Sequence, residues 1–184
     1  MIDKIGGPSR RQAIAGAVMV SAAMAFRPAH LWAETAGVAR TAETIHQETL
    51  YKAGRKRIFD ALMETSQFDR IIQIGTGNDL GALGGKPTAI SRDEGGPFTI
   101  FGGHIIGRHI ELVPNQSIVQ AWRVVDWDPG IYSIAKFELV EQDAGSKIIF
   151  DHTGFPHGLG EHLASGWKSH YWEPLEKYLA GESK

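Results

Sequence analysis

Apolar and polar positions along this chain change period several times, and each change predicts an element. Thr41 to Tyr51 alternates loosely, with Ile45 and Leu50 among polar residues and no breaker, which predicts a first strand. After Ala53-Gly54, the positions Ile58, Phe59, Leu62 and Met63 recur at helical spacing, so Arg55–Met63 is predicted as a helix. Ser66–Ile74 predicts a second short helix with Phe68, Ile71 and Ile72 inward. The polar, glycine-rich stretch from Gly75 to Gly96 predicts a long loop, a kind of segment that is usually functional or mobile.

From Pro97 the period becomes two. Phe98–Phe101, a Gly102-Gly103 turn and His104–Leu112 predict a hairpin, followed by strands at Ser117–Val125, Ile131–Leu139 and Lys147–Thr153. On the last two, Ile131, Ala135, Phe137 and Leu139 share one face, as do Ile148, Phe150 and His152. Gly158–Leu179 returns to helical spacing, with Leu159, Leu163, Trp167, Tyr171, Leu175 and Tyr178 or Leu179 on one stripe. Pro174 inside that stripe should kink the helix or remove one backbone bond. A meander of antiparallel strands with a long amphipathic C-terminal helix over one face is an α+β fold.

Composition refines this picture. The 184 residues are 42% hydrophobic and 22% charged, enough for one domain with a real core. There is no Cys, which excludes disulfides, thiolate metal sites and a cysteine nucleophile. No apolar run reaches the roughly 18–20 residues of a membrane-spanning helix, so no membrane span is expected. A net charge of −2 gives no global field for nucleic acid, which is not expected as a partner.

The first forty residues differ from the rest. Ser9-Arg10-Arg11-Gln12 precedes the weakly apolar Ala13–Ala25, a basic start and a small-residue exit that describe an export signal. The paired arginines resemble a twin-arginine signal, which carries proteins already folded. The expectation is an export signal and linker over residues 1–39, a domain over 40–184, and a periplasmic location. Cleavage could follow Ala25, Ala33 or Ala39. The alternative is an N-terminal amphipathic helix docked on the domain, but the stretch is apolar on all sides. Without residues 1–39, 15 basic and 19 acidic residues remain, so the domain is mildly acidic.

Gly95-Gly96-Pro97-Phe98, Phe101-Gly-Gly-His-Ile-Ile-Gly107, Leu112-Val-Pro114, Ile118-Val-Gln-Ala-Trp-Arg123 and Gly166-Trp167 occur in that order. This succession resembles the family of Hsp90 ATPase activator homologues (AHSA1-like), within the START-like or SRPBCC superfamily of helix-grip folds. The likeness runs from about Glu43 to Leu179. It implies a curved antiparallel sheet wrapped around a long C-terminal helix, with an apolar cavity between them. The superfamily includes lipid carriers, ligand sensors and polyketide cyclases, so the fold does not fix the function. An exported chain would not meet a cytosolic Hsp90, which ranks a co-chaperone role behind ligand binding.

The candidate ligand-binding residues are Phe98, Trp122, Phe137, Phe150, His152, Trp167 and Tyr171. They come from strands and a helix that should face one another, and an aromatic-lined cavity suits a small hydrophobic or amphipathic molecule. The same residues could instead form a solid core. His152 can donate and accept, and so orient a polar end of the guest. Arg108 shares the parity of Ile106, Ile110 and Leu112, where an inward arginine would clamp a carboxylate. Its bland alternative, and that of Arg123, is a stem packed on the sheet with its head in solvent. Gly107 and Gly154 on strands suit tight curvature or close helix approach. No helical His pair at metal spacing occurs, although His152, His157 and His162 could converge; no metal or cofactor is expected. The first reading is therefore an exported, non-catalytic ligand-binding protein. One alternative is a cyclase- or hydrolase-like enzyme with His152 or an aspartate as acid/base. The other is a chaperone-associated interaction module, which would need an exposed apolar patch.

Overall fold

The computed structural model describes residues 43–77 and 85–181. The export signal expected over residues 1–39 and the middle of the glycine-rich loop lie outside the described residues. The chain runs from β1 (Thr44–Tyr51) into α1 (Arg55–Met63) and α2 (Thr65–Thr76). The sheet then continues with β2 (Ala89–Ile90), β3 (Pro97–Ile100), β4 (Ile105–Val113), β5 (Ser117–Val124), β6 (Ser133–Gln142) and β7 (Gly145–Thr153). Last come α3 (Gly160–Trp167), a π-helical turn (Lys168–Trp172) and α4 (Glu173–Gly181). Among the described residues, seven strands form one antiparallel sheet in the order β1-β7-β6-β5-β4-β3-β2. The fold is α+β, a curved sheet gripping a C-terminal helical segment, as expected.

Alternation builds the core face. On β6, Ser133, Ala135, Phe137 and Leu139 are buried while Ile134 and Lys136 are exposed. Register then aligns partners of like character: Phe137 lies opposite both Phe150 and Ile118, and Leu139 lies opposite Ile148. A slip of one residue would turn this whole row to solvent, so burial itself pins the register. The helices add Ile58, Phe59, Leu62 and Met63 from α1, and Phe68, Ile71 and Ile72 from α2. Each of these was legible from helical spacing.

Four details depart from the sequence expectation. First, β2 forms inside the anticipated loop, pairing Ala89 with Thr99 and Ile90 with Phe98. Second, Phe101 leaves the strand for a tight turn with Gly102 and Gly103, and all three have positive φ (51°, 65° and 93°). A bulky side chain in that region costs roughly 1–3 kcal/mol of backbone strain.

Third, Arg108 does not point inward. Ile105 and His109 are buried and Arg108 is exposed, and a bulge between His109 and Glu111 then shifts the parity, leaving Ile110 exposed. Simple alternation carried across an unseen bulge put Arg108 on the wrong face. The inner position between Ile105 and His109 is Gly107, where a Cβ would lie 2.4 Å from the Phe98 ring. Glycine there makes room for that ring.

Fourth, the C-terminal helix is broken before its proline. Pro174 cannot donate to the carbonyl of His170, and the wide turn over Lys168–Trp172 takes up the mismatch. The extra residue brings both Tyr171 and Trp172 inward, so Trp172 joins the core although an i+4 stripe omits it. Beyond the turn, α4 sits hard on α2: a Cβ on Gly75 would come within 2.7 Å of Pro174 Cγ.

Candidate functional site

A cavity of about 570 Å3 lies between β4 and β5, the turn after β5, and the α3–π segment. Small-molecule sites typically measure about 300–1,000 Å3. Its wall is a continuous belt of rings. Trp127 meets Trp122 at 5.6 Å between centroids, Trp122 meets Trp167 at 5.5 Å, and Trp167 meets Tyr171 at 4.2 Å. Tyr171 then meets Phe101 at 5.3 Å, and Phe101 meets His170 at 6.1 Å. Ile105, Val124, Leu159 and Leu163 fill between the rings. Asp126, His162, Ser165, Ser169 and His170 line the cavity yet are exposed, so they mark its opening, with His104 half-buried beside them.

Local chemistry explains how each wall is held. Trp122 faces inward by alternation with Ile118 on β5, and Arg123 faces the other way. The Arg123 guanidinium donates to the carbonyls of Val124, Val125 and Trp127 and lies 5.5 Å from the Tyr132 ring. It folds the turn after β5 back so that Trp127 meets Trp122. Arg123 is thus neither a carboxylate clamp nor a solvent-facing head, because the turn's carbonyls satisfy it. The strained Phe101 backbone projects the ring that closes the belt against Tyr171.

The α3 wall is tethered by polar groups. The Glu43 carboxylate accepts from the Gly158 and Gly160 N–H groups, both at 2.9 Å, and occupies the start of α3. Those two bonds, Gly158's the larger, hold the Glu43 carboxyl below its ordinary range, with a smaller contribution from nearby His157. Gln47 donates to the Ala164 carbonyl at 2.9 Å and accepts from Trp172 Nε1 at 2.6 Å.

His152 is locked. The Trp167 indole can only donate, so its 3.0 Å contact requires His152 Nδ1 to accept, and Nε2 carries the proton. That proton goes to Ser133 Oγ at 2.7 Å, and the Ser133 hydroxyl donates to the Trp122 carbonyl at 2.9 Å. Burial depresses the imidazole pKa to about 4, so it is neutral at pH 7.

The structure distributes the sequence candidates over three places. Trp122, Trp167 and Tyr171 line the large cavity. Phe98 and Phe137, again with Tyr171, surround a separate gap of only about 20 Å3. Phe150 and His152 line neither; Phe150 packs behind the wall, 4.3 Å from the Trp167 ring. Alternation missed Trp127, which sits in an Asp-rich turn, and put Phe101 on a strand although it sits in a strained turn. Two buried polar atoms of the wall, Trp122 Nε1 and the Tyr171 hydroxyl, approach each other and have no other partner among the described residues. Burial pushes the Tyr171 phenol up, partly offset by the nearby Trp122 N–H. Among the described residues, no group of three or more His, Asp or Glu side chains is placed to hold a metal ion. No helix there is long and apolar enough to cross a membrane.

Residues 52–180 match the family model for Activator of Hsp90 ATPase homolog 1-like protein. The chain belongs to that family. Within it, the chain is similar to human activator of 90 kDa heat shock protein ATPase homolog 1, with 25% identity over 91 residues. That match covers 50% of this chain and 27% of the human protein. The Dictyostelium discoideum homologue is 29% identical over 108 residues, covering 58% of this chain and 28% of its own length. The chain therefore spans about a quarter of the length of these relatives. The AHSA1-like architecture recurs in solved structures. An HSP90 activator from Plasmodium falciparum superposes with a TM-score of 0.65 at 20% identity, covering 76% of this chain and 97% of that one. CalU16 from Micromonospora echinospora gives 0.60 at 16% identity, covering 77% and 78%. At these identities the likeness shows the fold alone.

Proposed function

We propose that this AHSA1-like chain is an exported protein that holds a small hydrophobic or amphipathic molecule between its sheet and its C-terminal helical segment. The observation that carries the reading is the cavity of about 570 Å3, walled mostly by apolar side chains and open at one polar end. His152 is not a proton-transfer group for a guest, because both ring nitrogens are engaged inside the protein. Binding rather than catalysis therefore fits its place.

The test is denaturing extraction of the purified chain followed by mass spectrometry. A small molecule near one equivalent is expected from the wild type and none from Gly166→Phe. Gly166 lines the cavity and a Cβ there meets nothing within 4 Å, so the new ring enters open space. Equal recovery from both proteins would overturn the reading. Export by a twin-arginine route belongs to the same proposal, on the strength of Arg10-Arg11 and the Ala13–Ala25 stretch. Fusing residues 1–40 to a reporter tests it: changing both arginines to Lys should abolish export, and unimpaired export would refute the route.

A second reading rests on the relatives named as activators of the Hsp90 ATPase. In it the chain is a chaperone-associated interaction module. Stimulation of a purified Hsp90 ATPase by this chain would support it, and an unchanged rate across a titration would oppose it.

A further inference from the structure

Granting that the cavity takes a small molecule, we infer that its guest is a flat, multi-ring aromatic acid rather than a fatty acyl chain. Two independent features of the wall point there. The first is the ring belt. A site for an aliphatic chain is satisfied by branched aliphatic side chains, which impose no orientation. Here Trp127, Trp122, Trp167, Tyr171 and Phe101 follow one another at 4.2–5.6 Å between centroids. Their mutual tilts, from 41° to 64°, pack faces against edges within the wall, where Phe101, Trp122, Trp167 and Tyr171 keep only 2–6% of their surface accessible and Trp127 is half-buried. Ring quadrupoles favour offset and edge-to-face contact with another π-system, which half-buried Trp127 and the ring edges left at the cavity surface offer a planar guest. The chain even holds Phe101 at a φ of 51° to place one of these rings. Strain of that sort persists where the surrounding structure needs the resulting geometry.

The second feature is the opening. His104, His162 and His170 line it together with the hydroxyl of Ser165, the Ser169 hydroxyl donating instead to the Ser165 carbonyl at 3.0 Å, and Asp126 is the one carboxylate among the lining residues. Imidazole N–H groups and hydroxyls are donors suited to a carboxylate or phenolate oxygen. A planar guest with its rings in the belt would present an acidic substituent to this end.

The experiment compares three probes by titration calorimetry, with quenching of tryptophan fluorescence as a second readout: anthracene-9-carboxylate, anthracene-9-methanol and palmitate. Anthracene-9-carboxylate should bind about tenfold or more tightly than palmitate. Trp127→Leu, whose side chain lies in a turn, should weaken the anthracene probes about tenfold, the scale of one lost aromatic pair, and leave palmitate within about twofold. A His104→Gln/His162→Gln double variant should bring the carboxylate and the methanol to within about twofold of each other. Gly166→Phe should block every probe, which locates binding in this cavity.

Palmitate binding as tightly as anthracene-9-carboxylate would overturn the aromatic class, as would Trp127→Leu leaving the anthracene probes unchanged. Either result would leave ligand binding itself intact. Equal affinity of the acid and the alcohol in the wild type would overturn the acidic group. No binding by any probe, together with an empty extract, would overturn both this inference and the function on which it rests.

Discussion

Protonating His152 should cost the fold about 3 kcal/mol, and the pH at which the loss appears is set by its surroundings. The imidazole is fully buried, accepts from Trp167 Nε1 and donates to Ser133 Oγ. A second ring proton has no acceptor: it would meet the Trp167 N–H head on. Burial lowers the folded pKa to about 4, against about 6.5 in the unfolded chain. Between those values the unfolded state binds a proton that the folded state refuses. Stability from this group is therefore complete above about pH 6.5, falls as pH drops through the window, and is lost by about pH 4. A gap of roughly 2.5 units at about 1.36 kcal/mol each gives about 3 kcal/mol. Carboxylates such as Glu43 also lose stabilising contacts in acid, so the measurement must be a difference. Urea unfolding of the wild type and of His152→Gln from pH 8 to pH 4 supplies it, since the amide keeps a donor and an acceptor and does not titrate. The wild type should lose about 3 kcal/mol more than the variant across the window. Parallel curves, or an NMR titration of the His152 ring with a midpoint near 6.5, would refute the reasoning.

Three further outcomes follow from close contacts. Gly107→Ala places a Cβ 2.2 Å from the Ala121 carbonyl oxygen and 2.4 Å from the Phe98 ring. Urea denaturation should show a loss of about 1–3 kcal/mol, the usual cost of overpacking a filled site. Gln47→Leu removes the partner of both the Ala164 carbonyl and the Trp172 indole N–H. A loss of about 1–3 kcal/mol is expected in the same assay, because a buried donor is left unpaired. Glu43→Gln weakens the acceptor at the start of α3, so hydrogen exchange at the Gly158 and Gly160 amides should accelerate while amides of β6 and β7 stay protected. Unchanged exchange at the two glycines would show that Glu43 does not tether α3.

The parts of this fold that were legible are those in which burial follows a period. β6 and β7 alternate without interruption, and α1 shows its inward residues at helical spacing, so element type and facing could be read directly. What escaped were the places where backbone departs from period. The bulge after His109 reverses parity inside β4, and the π-helical turn inserts an extra residue into the last stripe. Neither leaves a mark in hydropathy alone. Pro174 gave partial notice of the second, since a helix must yield somewhere near a proline. The cavity wall shows the same division: Trp122 and Trp167 face inward from regular elements, and Tyr171 follows Trp167 by four residues, ahead of the extra residue that brings in Trp172. Trp127 was missed because the Arg123 guanidinium sets its orientation, and Phe101 was read as a strand residue although positive φ in a turn sets where its ring points.

That division has a physical consequence for the cavity. On the α4 side the helix is held by contact: Gly75 admits Pro174 so closely that a methyl group would collide. The start and middle of α3 are tethered by hydrogen bonds, the Gly158 and Gly160 N–H groups donating to Glu43 and Gln47 donating to the Ala164 carbonyl, while its end is packed, with Trp167 4.3 Å from the Phe150 ring. Close packing tolerates little adjustment, whereas a helix tethered by a few polar contacts can shift by exchanging them with water. The first turn of α3, which carries the cavity-lining His162, is held in the second way. Glu43 and Gln47 look unremarkable in the sequence, as polar residues on or beside a first strand. Their importance appears only when β1, at the edge of the sheet, is seen to carry the tethers of α3. Polar residues at inward positions of an edge strand are thus informative about where a fold of this kind can open.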